Sequence, residues 1–289
     1  MVKLDENNYY SESKTLKITG IDNFYLGKFS ENEKQTKKIE KISKLVKLYP
    51  QAKTLIMDRN NLTEWIYNYD IFDDSDIEEL EVKFNRMEKI VCDFPSKLIK
   101  LNCSDNSLVE LKGLPQGLRY IDCSKNKIIE LNDLPFGLEI LICNYNQIVK
   151  LDFLPTGLET LHCYNNKISK LDDLPSSLTE LHCYSNQIEK IGSLPKKLKI
   201  LWCQYNKLKY LDGLPNTLEE LYCDSNLIES IDLTNTAVSK LKCSNNRVKK
   251  ITGLPNTIKY IDFSYNPIKT FPEGLNPNIT QKYTGCNFT

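Results

Sequence analysis

A cysteine recurs every twenty residues through the middle of the chain, and this period constrains the fold more than any other feature. Eight of the ten cysteines keep the spacing: Cys103, Cys123, Cys143, Cys163, Cys183, Cys203, Cys223 and Cys243. A leucine or isoleucine stands two residues before each of them, and an asparagine stands three residues after it. Self-similarity at a fixed period of this length predicts a repeat solenoid, in which each unit forms one coil.

The repeating unit reads L-x-x-L-x-C-x-x-N-x-[IL]-x-x-L-x-x-L-P-x-x and begins at Leu98. Nine units are clear, the ninth with Phe263 in place of the cysteine. Two degenerate units precede them, "LIMDRNNLTEW" from Leu55 and "LEVKFNRMEKI" from Leu80. We therefore divide the chain into an N-terminal segment and cap (1–49), about eleven coils (50–271), and a C-terminal cap or tail (272–289).

This pattern resembles the leucine-rich repeat family, whose signature is L-x-x-L-x-L-x-x-N-x-L. The 20-residue period and the Leu-Pro pair are similar to the shortest class, found in bacterial effectors and in proteins of giant DNA viruses. The departure is the cysteine in the third leucine position. The resemblance implies a horseshoe with a parallel β-sheet on its concave side and extended segments or short turns on its convex side. It also implies a protein–protein interaction scaffold without enzymatic activity.

Alternation within each unit predicts which side chains face the core. In Leu101-x-Cys103 the two residues point to the same side of a strand, and stacking of coils buries that side. The asparagine column, Asn106 to Asn266, is expected to satisfy backbone groups where the chain leaves the strand. The cysteines should be reduced and buried, because Cβ atoms on neighbouring in-register strands lie farther apart than the roughly 3.8 Å of a disulfide.

The outward positions of the central strands carry an aromatic column. The candidate partner-binding residues are Ile140, Ile142, His162, Tyr164, His182, Tyr184, Trp202 and Tyr222. Contiguous exposed aromatics mark interaction sites, so we favour protein binding here. One alternative is a self-stacking ladder that only stiffens the sheet. A metal site at the two histidines is disfavoured, because no carboxylate shares their column and Glu180 is the nearest outward acid.

His162 and Cys163 are adjacent in sequence but should face opposite sides of their strand, as should His182 and Cys183. Neither pair can share a metal ion or form a nucleophile and its base. No acid, base and nucleophile converge on the repeat surface, so we expect no enzyme, no cofactor and no metal.

Composition limits the partners. Lys+Arg and Asp+Glu are both 38, so the net charge is zero. Lysines that follow the strands, such as Lys150, are offset by aspartates such as Asp152, and nucleic-acid binding is therefore not favoured. No apolar run suits a membrane span, and the polar N-terminus lacks a signal peptide. We expect a cytoplasmic monomer, in its own cell or in the cytosol of a host, that binds a protein.

The N-terminal segment contains the signature of a helical cap. Ser30 and Glu33 fit a capping box, and Ile39, Ile42 and Val46 recur at helical spacing before Pro50. This helix would cover the first coil. The segment "TLKITGIDNFYL" is compatible with an added strand. Two alternatives to the concave-face scaffold remain: an adaptor whose N-terminal segment recruits a second protein, and a purely structural repeat protein.

Overall fold

A computed structural model describes residues 9–10, 13–18, 31–67, 71–276 and 279–286. The chain divides into two compact units, residues 1–141 and 142–289. Each unit is built from short strands that recur once per coil. The predicted repeat solenoid, with its parallel sheet and a helix near the N-terminus, is confirmed.

The first unit contains the helix and the irregular coils. Helix α1 spans Glu31–Leu48, and the strands are β1 (Tyr9–Tyr10), β2 (Thr15–Lys17), β3 (Thr54–Ile56), β4 (Glu64–Tyr67), β5 (Glu79–Glu81), β6 (Lys89–Cys92), β7 (Lys100–Asn102) and β8 (Tyr120–Asp122). Strands β2, β3, β5, β7 and β8 pair in parallel in that order, and β1 pairs antiparallel with β2. Strand β9 (Ile140–Ile142) lies at the boundary between the units.

Helix α1 ends at Leu48, two residues before Pro50, as the sequence predicts. Its buried residues are Ile39, Ile42, Leu45 and Val46, which recur at the helical period. The Lys38 ammonium is buried and donates to the Asn60 carbonyl at 3.1 Å. The helix is therefore joined to the turn of the first coil by polar as well as apolar contacts. The proposed capping residue Ser30 lies outside the described residues.

The second unit repeats with little variation. Its strands are β10 (Thr160–His162), β11 (Lys170–Leu171), β12 (Glu180–His182), β13 (Lys190–Ile191), β14 (Ile200–Trp202), β15 (Glu220–Tyr222), β16 (Ser230–Asp232), β17 (Lys240–Lys242), β18 (Lys250–Thr252), β19 (Tyr260–Asp262) and β20 (Thr280–Lys282). Strands β10, β12, β14, β15, β17, β19 and β20 form the main parallel sheet of this unit. Within the main sheet from β10 to β19, each strand residue pairs with the residue twenty positions later in the next strand, so equal repeat positions form straight columns.

The return segments, which lead from one strand of the main sheet to the next, are more regular than the extended conformation that the sequence predicts. Short parallel pairs form between β11 and β13, between β16 and β18, and between β4 and β6. Because every coil has nearly the same length, its return segment also comes into register with that of the next coil. Within the described part of the chain, no helix is both long and apolar enough to cross a membrane.

The inward columns form the core of each unit. Leu98, Leu101, Cys103 and Leu108 are fully buried, and Leu111 and Leu114 are nearly so. All eight periodic cysteines are buried free thiols, and burial raises the pKa of the Cys163 thiol to about 12. The ladder of reduced cysteines that the spacing predicts is thus present. Phe263 occupies the same buried position in the last clear repeat and contacts the ring of Tyr283.

The asparagine column fastens each coil to its neighbour. Asn186 accepts a hydrogen bond from the Ile168 N–H at 3.0 Å. Its amide nitrogen donates to the carbonyls of Cys163 and Cys183, at 3.0 and 3.1 Å. One side chain therefore serves backbone groups of two coils, which confirms the structural role predicted for the column.

The residue before each of these asparagines adopts a left-handed backbone conformation. The nine φ values lie between 52° and 55°, at Asp105, Lys125, Tyr145, Asn165, Ser185, Tyr205, Ser225, Asn245 and Tyr265. None is glycine, although glycine has the lowest cost in this region. The asparagine hydrogen bonds, rather than the backbone preference of these residues, thus hold the turn that follows each strand. The sequence pattern did not reveal this left-handed position.

Candidate functional site

The aromatic column lies on the outward side of the second unit's main sheet. The register places His162 beside His182, His182 beside Trp202, and Trp202 beside Tyr222. The next residue in the column is Lys242. We call Ile142, His162, Tyr164, His182, Tyr184, Trp202 and Tyr222 the aromatic patch. Ile140, also predicted for the site, belongs to the first unit and is half-buried.

The rings of the patch are stacked. His162 and His182 have centroids 4.2 Å apart and planes 4° from parallel. His182 and Trp202 are 4.1 Å apart at 3°, and Trp202 and Tyr222 are 5.2 Å apart at 9°. Because parallel strands are about 4.8 Å apart, rings at equal positions come naturally to stacking distance. The self-stacking ladder is therefore present, and His162, Trp202 and Tyr222 within it are half-buried.

A second, shorter stack flanks the first. Tyr164 and Tyr184 have centroids 4.3 Å apart with planes 9° from parallel, and Tyr145 packs edge-on against Tyr164 at 5.5 Å. Burial, together with the neighbouring Tyr164 hydroxyl, raises the pKa of Tyr184 to about 12. Both tyrosines of the pair are half-buried, and each carries a hydroxyl that can donate and accept hydrogen bonds.

Burial within the patch differs from the sequence expectation at two positions. His182 was expected to be exposed, but it is only 8% exposed, because His162 and Trp202 cover its two ring faces. Asn144, an outward position beside the patch, is 4% exposed. Burial lowers the pKa of His182 to about 4, and the neighbouring His162 acts in the same direction. His182 is consequently a neutral imidazole at neutral pH.

Glu180 lies against both histidines, which the sequence argument about their column missed. Its Oε1 is 2.9 Å from His162 Nε2 and 3.1 Å from His182 Nε2. Residues 180 and 182 lie two positions apart on one strand, so they share a face and the longer side chain reaches the rings. The contact with His162 has hydrogen-bond geometry, whereas His182 Nε2 is buried without a hydrogen bond despite its short distance. His182 Nε2 and the Glu180 carboxylate are therefore close, but the ring is not aligned for a hydrogen bond.

The far end of the patch carries charge that the aromatic pattern did not include. The ammonium of Lys242 lies 4.3 Å from the centroid of the Tyr222 ring, a cation–π distance. Lys240 pairs with Glu220 at 2.7 Å on the same two strands. Extending the column by one repeat in the sequence would have identified Lys242. Outside the patch, Lys150 pairs with Asp152 at 2.7 Å, as the sequence predicts for a charge-balanced rim.

Comparisons with known proteins agree with this fold. A family model described as Leucine Rich repeats (2 copies) matches residues 137–176. Among curated protein sequences, none matches the chain.

Three solved structures illustrate the structural likeness. YopM from Yersinia enterocolitica is 26% identical, with a TM-score of 0.56, over 82% of this chain and 67% of its own. YopM from Yersinia pestis, described as a leucine-rich effector protein, is 25% identical, with a TM-score of 0.65, over 80% and 71%. A functional domain of InlJ from Listeria monocytogenes, which includes a cysteine ladder, is 23% identical, with a TM-score of 0.59, over 82% and 64%. The chain spans about two thirds of the length of each, and it has the fold of a leucine-rich repeat protein.

Proposed function

We propose that this chain is a non-enzymatic scaffold that binds a protein partner on the outward face of its main sheet, through the aromatic patch. The observation that carries the proposal is the pair of ring stacks on adjacent strands, which presents half-buried Tyr164, Tyr184, Trp202 and Tyr222 together. The likeness to an effector protein of the leucine-rich repeat fold supports the scaffold role.

The physical basis is that the surface is already ordered. Aromatic side chains bury large areas on binding, and those held in stacks lose little conformational entropy when a partner docks. The charged flank at Lys242 and the hydroxyls of the tyrosines add polar groups around an apolar centre, which is the composition of a typical interface. A stack that served only to stiffen the sheet would not require this combination.

The free, buried thiols are compatible with a reducing compartment, and we propose a cytoplasmic setting on that basis. The adaptor alternative depends on the N-terminal 50 residues, part of which lies outside the described residues. Deleting residues 1–29 separates the two roles, provided that circular dichroism shows the coils to be folded without strand β2. The scaffold retains the ligand of the patch, whereas an adaptor loses its recruited protein.

The test begins with affinity capture of a partner and then compares two variants. Trp202→Ala should weaken the complex more than tenfold, as expected for a hot spot worth about 2 kcal/mol. Lys209→Ala, an exposed lysine away from the patch, should bind like the wild type. Because Trp202 stacks on two rings, circular dichroism must show that the variant is folded at the assay temperature. Equal affinities for a folded Trp202→Ala and the wild type would refute the proposal.

A further inference from the structure

We propose that His162, Glu180 and His182 bind a single transition-metal ion of the zinc class on the face of the main sheet. Each residue offers one ligand atom, and the three atoms lie within 4.8 Å of one another. Histidine nitrogen and carboxylate oxygen are both ordinary zinc ligands. The site needs no protein partner and therefore does not depend on the proposed function.

The distances are close to those that a metal ion requires. Zinc bonds of about 2.0–2.2 Å in a tetrahedral arrangement place neighbouring ligand atoms roughly 3.4 Å apart. The Glu180 oxygen is 2.9 and 3.1 Å from the two ring nitrogens, so these two pairs need only a small expansion. The strand register fixes the backbones of the two histidines side by side. The two ring nitrogens lie within 4.8 Å of each other, so the side chains of the two histidines must rotate to bring this pair closer around the ion.

The unpartnered nitrogen of His182 is the second observation that points to a ligand. His182 Nε2 is buried, faces the Glu180 carboxylate, and has no hydrogen bond. A buried polar atom without a partner costs free energy, and an ion between the nitrogen and the carboxylate removes that cost.

The exposure of the three side chains and the number of ligands that they offer also suit a zinc ion. The side chains of His162, Glu180 and His182 are 23%, 31% and 11% exposed, so an ion can arrive from solvent. Three protein ligands leave a fourth position for water, as in open zinc sites. The eight periodic thiols point to the other side of the sheet and are buried, so they do not compete in the folded protein.

Metal binding should disturb the stack in a measurable way. The two imidazoles are nearly parallel and 4.2 Å apart, so their in-plane lone pairs run side by side. To reach one ion, the rings must tilt toward each other. Because Trp202 stacks on His182 at 4.1 Å, the tilt changes the surroundings of the indole. The chain has a second tryptophan, Trp65, so the measurement is made in a Trp65→Phe background, in which the emission of Trp202 reports occupancy of this particular site.

The experiment uses the full chain carrying Cys286→Ser, which removes a half-buried thiol that could bind zinc elsewhere. Zinc chloride is titrated while heat and tryptophan emission are recorded. We expect one saturable site detected by both signals. The affinity should fall at least tenfold in His162→Gln and in Glu180→Gln. Glu159→Gln, an exposed acid outside the cluster, is the matched control and should leave the affinity unchanged.

Two outcomes would overturn the site. One is the absence of saturable zinc binding at millimolar concentrations in a chain that circular dichroism shows to be folded. The other is binding that survives both His162→Gln and Glu180→Gln with an unaltered fluorescence change. Circular dichroism of His162→Gln and Glu180→Gln separates loss of a ligand from loss of the fold, and only a folded variant counts in either direction.

Discussion

Asn166→Ala tests the asparagine network at one position in the middle of the array. The Asn166 side chain accepts a hydrogen bond from the Ile148 N–H at 2.9 Å. Its amide nitrogen donates to the carbonyls of Cys143 and Cys163, both at 3.0 Å. Alanine removes these three bonds and a longer one to the Tyr164 carbonyl at 3.4 Å.

The cost follows from which backbone groups keep another partner. The Cys143 carbonyl still accepts from Asn146 at 3.0 Å, and the Cys163 carbonyl still accepts from Asn186 at 3.0 Å. The Ile148 N–H loses its side-chain acceptor. An unsatisfied buried donor costs about 1–3 kcal/mol, and each of the two lost bonds to the cysteine carbonyls costs about 0.5–1 kcal/mol. We expect a loss of about 2–5 kcal/mol in the free energy of unfolding.

Urea denaturation followed by circular dichroism measures the effect. Asn216→Ala is the control, because Asn216 is an exposed turn residue of the same unit and equivalent positions hold Thr156, Ser176 and Lys196. That substitution should change stability by less than about 0.5 kcal/mol. Asn144 occupies an outward strand position but is buried, so it does not serve as a control. Equal urea midpoints for Asn166→Ala and Asn216→Ala would refute the reasoning.

Three further outcomes are expected. Trp202→Ala should lower stability by about 1–3 kcal/mol, since it removes two ring contacts worth about 0.5–1.5 kcal/mol each. The pKa of His182 is about 6.5 in the unfolded chain and about 4 in the folded one, so protonation favours the unfolded chain once the pH falls below 6.5. Stability should therefore drop by about 2 kcal/mol between pH 7 and pH 5, and His182→Gln should lack this part of the loss. A thiol reagent should label half-buried Cys286 in the native protein and the eight periodic cysteines only after unfolding; rapid native labelling of those eight would contradict the buried ladder.

The sequence predicted the features that depend on period alone. A strict twenty-residue repeat fixes which residues lie inward, so the burial of Cys103 and the contacts of Asn186 follow from position in the repeat. The same argument placed His182 and Trp202 on one outward column. Helix α1 was recognisable from its own apolar spacing and from Pro50.

The features that the sequence missed depend on side-chain conformation. Burial of His182 arises because rings at stacking distance cover each other, and a periodic pattern does not carry that information. Glu180 was set aside because it is outside the histidine column, although its length brings it to both rings. The left-handed residues before each asparagine have no common side chain, so Tyr205 and Ser185 show no shared signal.

Photo-crosslinking from defined positions tests most directly whether the aromatic patch is the binding surface. A photoreactive phenylalanine analogue would replace Tyr164, in the patch, or Tyr210, an exposed residue on the return segment. In a mixture with the captured partner, irradiation should give a crosslinked product from position 164 and none from position 210. Crosslinking from position 210 but not from position 164 would contradict the account and place the partner on the return side of the coils.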